Sequence, residues 1–347
     1  MPSRRAPPRS KLHALLLVEP YFFSRSDPQL LRTTAETDAE RAVSVGLTTL
    51  GHRVSVLPFR PYRRGCRTIA DDIVRLNPDV VFNFVEQMDG DRRLGANVPA
   101  LLDVLRIPYT GSNAIGIAAA IDKSASKHAV SSVGLAVPPF VVLPIGSTRA
   151  PRRSFDFPAI VKPQFGGGSV GLTLKSVVHS ERELIRRARE IHRAFEEPAI
   201  CERFIDGREL TVGMIEEKND VLVLPIRETV FGRADAGGPR FYTERVKDRA
   251  SYRRRWDIHH ERAQLPPALE RRLRTSCKDA FRVLGLSGYA RMDIRLDSTG
   301  APVFLEANSN PDLSPRNFGL MASWMGLTYE DVIVKVLRAG LSRGAGW

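Results

Sequence analysis

The stretch GYARMDIRLDSTGAPVFLEANSNPDL, residues 288–313, decides the fold. Two mainly apolar runs flank residues 297–300, where Asp, Ser and Gly favour a tight turn, so the stretch predicts a β-hairpin. Successive side chains alternate between the two faces of a strand. The polar side chains of each run, which lie two residues apart, are therefore expected to share one face.

The register of the hairpin follows from a turn centred on its Ser-Thr pair. Arg291 is then expected opposite Glu306, and Asp293 opposite Phe304, on the polar face. Asn308 lies one step beyond Glu306 on the same face. The pairs expected on the apolar face are Met292 with Leu305 and Ile294 with Val303. Two carboxylates, one amide and one guanidinium should therefore converge.

This polar face has two interpretations. An antiparallel sheet commonly keeps one face in water, where an Arg–Glu pair is ordinary. Alternatively, Asp293, Glu306 and Asn308 supply the hard oxygen ligands that Mg²⁺ prefers, together with waters and substrate phosphates. The hairpin alone does not separate the two interpretations, so a phosphate site elsewhere in the chain has to decide.

The composition is that of a soluble chain that can bury a large core. Its 347 residues are 43% hydrophobic and include three isolated cysteines, which predicts two or three domains in a reducing, cytoplasmic compartment. No apolar run approaches the ~20 residues that cross a bilayer, so no membrane partner is expected. The apolar run at 12–18 is short for a signal peptide and predicts a first β-strand behind a basic N-terminal tail.

The net charge of +13 raises the hypothesis of nucleic-acid binding. The basic residues, however, are interleaved with acids along predicted helices, as at 181–187 and 270–274, which is typical of solvated faces. The densest basic run, at 253–255, is interpreted as a surface loop. We therefore expect no nucleic-acid partner.

The first third of the chain alternates strand and helix patterns. The predicted strands are 12–18, 54–59 and 80–85, and the predicted helices are 38–50, 69–76 and 98–105. This alternation predicts a doubly wound, mostly parallel sheet, whose ligands bind beyond the carboxyl ends of the strands.

The remaining two thirds mix helices with further strands. The predicted helices are 114–135, 180–193, 268–284 and 328–341, and the predicted strands are 140–143, 158–163, one through Leu174, 200–204, 210–215, 221–229 and the hairpin. Between them, residues 231–266 form a long polar excursion. A connection of that length favours a lid or substrate loop, with disorder as the alternative.

A glycine-rich run at 166–171 follows the strand that carries Lys162. Its N–H groups can surround anionic oxygens and Ser169 adds a hydroxyl, although such a run alone also fits an ordinary turn. Lys162 lies on an otherwise apolar strand, where an unpaired ammonium is costly, so it needs an anion such as a triphosphate. Lys123, in a helix of small and apolar residues, is a second candidate, unless its side chain simply extends to water.

Taken together, the lysine strand, the glycine run and the acidic hairpin resemble the ATP-grasp superfamily, in particular D-alanine–D-alanine ligase and related carboxylate–amine ligases. The matching motifs are AERAVS (39–44), IPYTGS (107–112), DK (122–123), VKP (161–163), GSVG (168–171), RMD (291–293) and LEAN (305–308). The resemblance covers most of the chain and implies an α/β (α+β) ATP-grasp fold. The implied domains are an N-terminal substrate domain (1–122), a central subdomain with the glycine flap (123–205) and a C-terminal subdomain with the metal-binding hairpin (206–347).

The resemblance also implies the residues of the site. The nucleotide-binding residues would be Lys123, Lys162, Gly167, Gly168, Ser169, Val170, Glu202, Arg203, Phe204, Ile205, Glu209 and Lys247. Of these, the lysines hold phosphates, residues 202–205 line the adenine and Glu209 takes the ribose. The metal ligands would be Asp293, Glu306 and Asn308, which hold two Mg²⁺ ions or, in their place, Mn²⁺. The catalytic residues would be Arg291, Glu40 and Ser169, with Arg291 stabilising a tetrahedral oxyanion.

Several positions depart from the pattern of these ligases. Glu86 lies where they carry a histidine, and Asp248 lies where they carry a tyrosine. Near the carboxylate pocket, Asp312 and Asn317 replace a glycine and a serine. The ATP chemistry is therefore expected to be intact while the amino-acid pocket is rebuilt, which favours a cationic amine attracted by the added carboxylates.

Three functions are compatible with these residues. The first is an ATP-dependent ligase that forms an amide through an acyl phosphate, with D-alanyl-D-alanine as one candidate product. The second is the same chemistry on another amino-acid or natural-product substrate. The third is a nucleotide-binding or nucleic-acid-binding regulator without turnover, against which the complete set of lysines and acidic ligands speaks. The expected partners are small-molecule amino-acid or peptide substrates, with a homodimer as a candidate assembly.

Overall fold

The computed structural model describes residues 11–20, 38–60, 66–150, 152, 155–218 and 220–344. The basic N-terminal tail before residue 11 lies outside these ranges. The described part forms a parallel sheet in its N-terminal third and two antiparallel sheets beyond it, with helices packed on their faces. This arrangement confirms the predicted mixed α/β class.

The N-terminal sheet has three parallel strands in the order β2-β1-β3. Its elements are β1 (His13–Val18), α1 (Asp38–Thr49), β2 (Arg53–Pro58), α2 (Cys66–Leu76), β3 (Val80–Asn83) and α3 (Asn97–Val104). Strand β1 is central and buried along its whole length, as its mostly apolar sequence predicts. Glu19 and Glu86 follow the carboxyl ends of β1 and β3, which is where ligands of such sheets bind.

The central sheet has four strands in the order β4-β7-β5-β6. Its part of the chain comprises α4 (Ala114–Ile121), α5 (Lys123–Ser132), β4 (Phe140–Leu143), β5 (Ala159–Pro163), β6 (Val177–Val178), α6 (Glu181–Phe195) and β7 (Ala199–Arg203). The single helix predicted over 114–135 is in fact two helices, because the Asp122 carboxylate caps α5 by accepting from the N–H groups of Ser124 and Ala125. The predicted strand through Leu174 is wrong: a short helical turn precedes the two-residue strand β6.

The C-terminal sheet has six strands, with the order β11-β10-β8-β12-β13 and β9 paired to β8. Its elements are β8 (Arg208–Glu217), β9 (Asp220–Val223), β10 (Arg227–Phe231), α7 (Glu244–Asp248), α8 (Ala250–Arg255), β11 (Ile258–Arg262), α9 (Pro267–Val283), β12 (Tyr289–Leu296), β13 (Pro302–Asn308), α10 (Leu320–Ser323) and α11 (Tyr329–Gly344). The strand predicted over 221–229 is two strands. The excursion at 231–266 contains two short helices and the edge strand β11, so it is more ordered than a loop.

Strands β12 and β13 form the hairpin that is predicted to hold a metal, here called the metal hairpin. Its predicted register is wrong. Asp293 pairs with Glu306 and Ile294 pairs with Phe304, so Leu305 is an extra residue in a β-bulge. Arg291 pairs with Asn308 rather than with Glu306. The bulge reverses the alternation of β13 and turns Phe304 into the core, where it is fully buried.

The first and third sheets share a hydrophobic core through the final helix α11. The cluster includes Leu16 and Phe82 of the first sheet, Ile215 and Tyr289 of the third, and Val332, Ile333 and Val336 of the helix. This packing fixes the carboxyl ends of β1 and β3 relative to the metal hairpin. No helix in the described ranges is long and apolar enough to cross a membrane.

Candidate active site

A buried glutamate pairs with two lysines at the central sheet. The Glu202 carboxylate lies 2.8 Å from Lys162 Nζ and 3.2 Å from Lys127 Nζ, and all three side chains are buried. Lys127 also donates to the backbone carbonyl of Leu305 in the bulge. Helix α5 is therefore bound to both the central sheet and the metal hairpin.

Burial and the neighbouring opposite charges shift the pKa values of this cluster in opposite directions. Burial lowers the pKa of Lys127 to about 8, although Glu202 opposes the shift. Burial alone would raise the pKa of Glu202, but Lys127 and Lys162 outweigh it and hold that pKa below its ordinary value. The sequence predicts that Lys162 needs a ligand anion, whereas Glu202 supplies the opposite charge. Both Glu202 oxygens are buried against these two ammonium groups, so the carboxylate is enclosed by the protein's own cations.

Lys123 faces the acidic end of the metal hairpin. Its Nζ lies 3.7 Å from Glu306 Oε2 and donates to the carbonyl of Gly166. Burial lowers the pKa of Lys123, against the attraction of Glu306. Burial would raise the pKa of Glu306, but its cationic neighbours, Lys123 first, hold that pKa below its ordinary value. The Glu306 carboxylate is therefore kept ionised.

The four polar groups of the hairpin converge as the alternation predicts. Arg291 Nη2 lies 2.9 Å from Asp293 Oδ2, and Asn308 Nδ2 donates to the same oxygen at 3.3 Å. The Thr211 hydroxyl donates to the other oxygen of Asp293 at 3.2 Å. Asp293, Glu306 and Asn308 thus present two carboxylates and one amide. The described residues contain no group of three or more His, Cys, Asp or Glu side chains placed to hold a metal, so a cation here would also need oxygens from water or substrate.

The glycine flap (166–171) lies between two cations from distant parts of the chain. A Cβ added at Gly167 would lie 2.6 Å from the Arg92 guanidinium, and one at Gly168 would lie 2.8 Å from Lys247 Nζ. Gly168 also has a φ of +61°, and Ser169 has a φ of +64°. Only glycine avoids both the clash and the left-handed strain at position 168. Ser169 is half-buried, and the neighbouring Val170 side chain is exposed.

The predicted adenine segment follows β7. The N–H groups of Arg203 and Phe204 already donate to the carbonyls of Pro139 and Pro158. The Arg203 side chain is exposed, whereas Ile205 is buried. An adenine edge would therefore have to use other backbone groups of this segment.

The predicted ribose carboxylate has protein partners. Glu209 accepts from Arg295 Nη2 at 2.8 Å and from the N–H of Tyr242 at 3.3 Å. Arg295 also donates to the carbonyl of Ile205 at 2.6 Å, and its guanidinium lies 5.3 Å from the centre of the Phe204 ring. Arg295 thus joins the adenine segment to Glu209, a role that the sequence alone does not reveal.

Glu40 forms the carboxylate end of the site, at the start of α1. Its side chain is 5% exposed, and its Oε2 has no hydrogen-bond partner among the described residues. Burial is the main cause that raises the pKa of Glu40 to about 8, with smaller repulsion from Asp312, Glu86 and Glu19. A positively charged amine of a substrate would relieve this burial cost.

Glu86 pairs with Arg92 across the mouth of the site, with 2.7 Å between Oε2 and Nη2. The Glu19 carboxylate accepts from the N–H groups of Glu86 and Gln87 at 2.9 and 3.2 Å, which orients this segment. A narrow cavity joins this pair to the metal hairpin. Its charged and flap residues are Glu86, Arg92, Lys123, Gly166, Gly167 and Glu306.

Three cations of the site are not predicted from the sequence, although two carry a usable signal. Lys127 lies four residues after Lys123 and therefore on the same side of helix α5. Arg227 directly follows the apolar run VLVLPI (221–226) at the first residue of β10, much as Lys162 follows the apolar residues of β5. Arg92 lies in a polar segment, and nothing in its sequence context marks it.

Comparison with known proteins places this geometry among ATP-dependent ligases. The family model described as D-ala D-ala ligase C-terminus matches residues 129–338. The D-alanine–D-alanine ligase of Cupriavidus metallidurans is 35% identical over 241 residues, which cover 69% of this chain and 69% of that protein. The D-alanine–D-alanine ligase of Geobacter sulfurreducens is 30% identical over 308 residues, covering 86% and 90% of the two chains.

Solved structures agree on the fold. The crystal structure of D-alanine–D-alanine ligase from Bacillus anthracis complexed with ATP matches with a TM-score of 0.69 at 19% identity. The match covers 96% of this chain and 99% of that one. The two chains therefore share one arrangement of sheets and helices over nearly their whole length.

Proposed function

This chain belongs to the D-alanine–D-alanine ligase family of ATP-grasp ligases, and we propose that it joins a carboxylate to an amine at the expense of ATP. The observation that supports this proposal is the arrangement of Lys123 and Lys162 near Glu306 of the metal hairpin, whose other carboxylate is Asp293. A phosphate chain needs such cations, and its counter-cation needs such oxygens. The third function, a regulator without turnover, would not require all of them.

The proposed reaction has two steps. The substrate carboxylate attacks the γ-phosphorus of ATP to form an acyl phosphate, and ADP leaves. The amine then attacks the acyl carbon, and phosphate leaves as the amide forms. Lys123 and Lys162 would orient the phosphates, and Arg291 would stabilise the negative oxygen of the tetrahedral intermediate.

The protein's residues would perform the remaining tasks. The flap residues Gly167, Gly168, Ser169 and Val170 and the side chain of Lys247 would close over the phosphates and exclude water from the acyl phosphate. The adenine would lie against residues 202–205, with Glu209 near the ribose. Glu40 would hold the ammonium group of a substrate.

The hairpin side chains fit Mg²⁺, because this ion uses few carboxylates and completes its shell with water and phosphate oxygens. Asp293, Glu306 and Asn308 would be its protein ligands, for two ions in the proposal, with Mn²⁺ as an alternative of the same hard class. Bound Mg²⁺ would offset the negative charge that develops during phosphoryl transfer.

We propose a small amino acid or peptide as the substrate, with D-alanyl-D-alanine as one candidate product. The Glu86–Arg92 pair supports a second candidate, an amide of a different amino acid, because it lies where the family carries a histidine. The buried thiols of Cys201 and Cys277 suit a reducing cytoplasm. A homodimer stays a prediction.

The test is phosphate release from Mg–ATP by the full chain with pairs of D- and L-amino acids, with products identified by mass. We expect at least one pair to release phosphate only when both substrates are present. Glu306→Gln should lower this rate by about 10³-fold, because one hard ligand is lost at the point of phosphoryl transfer. Glu261→Gln makes the same change at an exposed edge strand and should retain the wild-type rate.

Two outcomes would contradict the proposal. If no pair gives amine-dependent phosphate release, the ligase assignment is wrong. If Glu306→Gln turns over like the Glu261→Gln control, the assignment of the metal site is wrong.

A further inference from the structure

The first three residues of the glycine flap, 166–168, are each met by a cation from a different part of the chain. Lys123 of α5 donates to the carbonyl of the first glycine. A Cβ on the second glycine would lie 2.6 Å from the Arg92 guanidinium, and a Cβ on the third would lie 2.8 Å from Lys247 Nζ. Arg92, in the short helical turn 92–96, is the cation that reaches the flap from the predicted substrate domain.

The glycine at position 167 is explained by Arg92 rather than by the backbone. Gly168 has a positive φ, whereas Gly167 does not, so the conformation of residue 167 does not itself require glycine. Its missing side chain instead leaves the space that the Arg92 guanidinium occupies. The guanidinium therefore packs directly on the backbone of the flap.

Arg92 has room for one more acceptor. Its Nη2 lies 2.7 Å from Glu86 Oε2, while its Nε is buried and has no hydrogen-bond partner among the described residues. A buried N–H group without an acceptor is costly. The Arg92 side chain is 23% exposed and lines the cavity that also contains Lys123 and Glu306. A ligand in this cavity can therefore reach the guanidinium.

The charges around the cavity indicate an anionic ligand. Burial would lower the pKa of Arg92, but Glu86 outweighs it and, with a smaller contribution from Glu306, holds that pKa above its ordinary value. Arg92 in turn adds to the burial that lowers the pKa of Lys123, so the two cations lie close enough to repel each other. In the proposed function Glu306 binds Mg²⁺, which leaves these cations to an anion that the nucleotide brings.

The terminal phosphoryl group is the anion that fits this position. The adenine is proposed to lie against residues 202–205, next to Lys162, and Lys123 lies farther along, at the metal hairpin. Arg92 approaches from the N-terminal sheet, which is the side of the proposed amino-acid substrate. The phosphoryl group that reacts with a substrate carboxylate has to lie on that side.

We propose that Arg92 is a further catalytic residue, which binds the terminal phosphoryl group of ATP while this group moves to the substrate carboxylate. The inference rests on the proposed ligase function and extends it. In this step a carboxylate oxygen forms a bond to the γ-phosphorus, the bond to the bridging oxygen breaks, and ADP leaves with the electron pair. Arg92 keeps its protons and offsets the charge on the phosphoryl oxygens, and Glu86 orients it.

The experiment compares two nucleotides that differ in the terminal phosphoryl group. The full chain is titrated calorimetrically with Mg–ADP and with Mg–adenylyl imidodiphosphate, an ATP analogue that keeps this group, without any amino acid. We expect Arg92→Gln to raise the Kd of the analogue by about 10- to 100-fold, the effect of one lost charged hydrogen bond, and the Kd of ADP by less than about twofold. Arg92→Lys keeps the charge and should restore part of the difference.

The rate of the proposed reaction gives a second measurement. With the amino-acid pair that reacts best, Arg92→Gln should lower amine-dependent phosphate release by about 10²-fold, as expected when one donor to a developing negative charge is lost. Its unfolding temperature should change little, because the lost ion pair with Glu86 is partly exposed to solvent.

Two control variants separate the guanidinium from the ion pair that it forms. Glu86→Gln breaks the pair with Arg92 but keeps the guanidinium. Arg75→Gln removes an exposed arginine of the N-terminal part that pairs with Asp72. Both variants should keep the wild-type ratio of the two Kd values.

Three results would overturn the contact between Arg92 and the phosphoryl group. They are an unchanged Kd of the analogue in Arg92→Gln, an equal loss of affinity for both nucleotides, and the same selective loss in Glu86→Gln. Failure of the ligase function is a separate outcome, because the titration needs no turnover. If no amino-acid pair releases phosphate, a selective loss of the analogue in Arg92→Gln still supports the contact.

Discussion

The phosphate region and the substrate region of this site differ in whether their buried charged groups form ion pairs. In the phosphate region, formed by Lys123, Lys127, Lys162, Glu202 and Glu306, each cation lies within 4 Å of a carboxylate. In the substrate region, among the described residues, Glu40 has an oxygen without a hydrogen-bond partner and Arg227 forms no ion pair with a carboxylate. Three lysines thus share two carboxylates in the first region, whereas the charged groups of the second region have no such partner.

This difference follows from what each region has to bind. A nucleotide brings the same phosphates in every cycle, so its cations can be held in position by the protein's own carboxylates. Under the proposed function, the substrate region would receive charged groups of the substrate, and a protein group that neutralised them would compete with the substrate. The unpaired groups therefore indicate where the charges of the substrate lie.

The largest expected effect comes from removing a buried carboxylate of the phosphate region. Glu202→Ala leaves the ammonium groups of Lys127 and Lys162 buried without their carboxylate, which should lower the free energy of unfolding by about 3–5 kcal/mol. Denaturant unfolding measures this change. Asp206→Ala, which removes the exposed partner of Arg240, should cost about 1 kcal/mol or less. Equal losses in the two variants would show that the Glu202 cluster is not a compensated unit.

An intermediate effect is expected from the unpaired carboxylate of the substrate region. Because the pKa of Glu40 is about 8 in the folded chain and near 4.5 when exposed, the folded state retains a proton that the unfolded state loses between these pH values. Stability should therefore fall as the pH rises from about 5 to 8, by roughly 3 kcal/mol from this residue.

Glu40→Gln replaces the ionisable carboxyl group with a neutral amide. It therefore tests whether Glu40 makes stability fall as the pH rises. The variant should match the wild type near pH 5 and be more stable than it near pH 8, as measured by unfolding at both values. Parallel stability curves for the two proteins would mean that Glu40 ionises normally and that this region is not short of a cation.

The smallest expected effect concerns the boundary between the regions. Glu86→His restores the residue type of related ligases and frees Arg92, so it should change the preference between substrate amino acids by about tenfold while leaving the KM for ATP unchanged. Competition between two amino acids measures the preference, with the exposed Asp89→Asn as control. A raised KM for ATP would show that Arg92, which contacts the flap at Gly167, couples the regions, and the comparison would then fail.

The sequence predicts the phosphate region better than the substrate region, for a physical reason. A lysine on an apolar strand such as Lys162, or a carboxylate alternating with apolar residues such as Glu306, conflicts with its local pattern and can be recognised. The pairing of Lys162 with Glu202 depends on which strands become neighbours, and local pattern does not contain that information. Arg92 and Asn317 lie in single 3₁₀- and π-helical turns of five residues each, which are too short to establish a periodicity that either residue could break.

The secondary structure, too, is predicted correctly where the local sequence pattern is regular. Strand and helix positions in the N-terminal third follow from alternation and are confirmed, whereas the hairpin register is wrong because one extra residue, Leu305, interrupts the period of two. The convergence of Asp293 with Asn308 was still predictable, since each strand keeps its own alternation on either side of the bulge. The division of the chain at residues 122 and 205 stays a prediction.

The bulge at Leu305 also determines how the hairpin responds to changes in its pairing and to inserted residues. If Leu305 were instead paired in a regular ladder, Glu306 would share a face with Phe304 and point into the core, so loss of the bulge with the residue retained would remove a metal ligand and bury a charge at once. The tip at residues 298–300 lies at the far end of both strands, and insertions there leave every pair from Arg291 to Glu306 in place. Relatives of this chain should therefore vary in length at the tip and keep the residues equivalent to Phe304 and Glu306 on opposite faces.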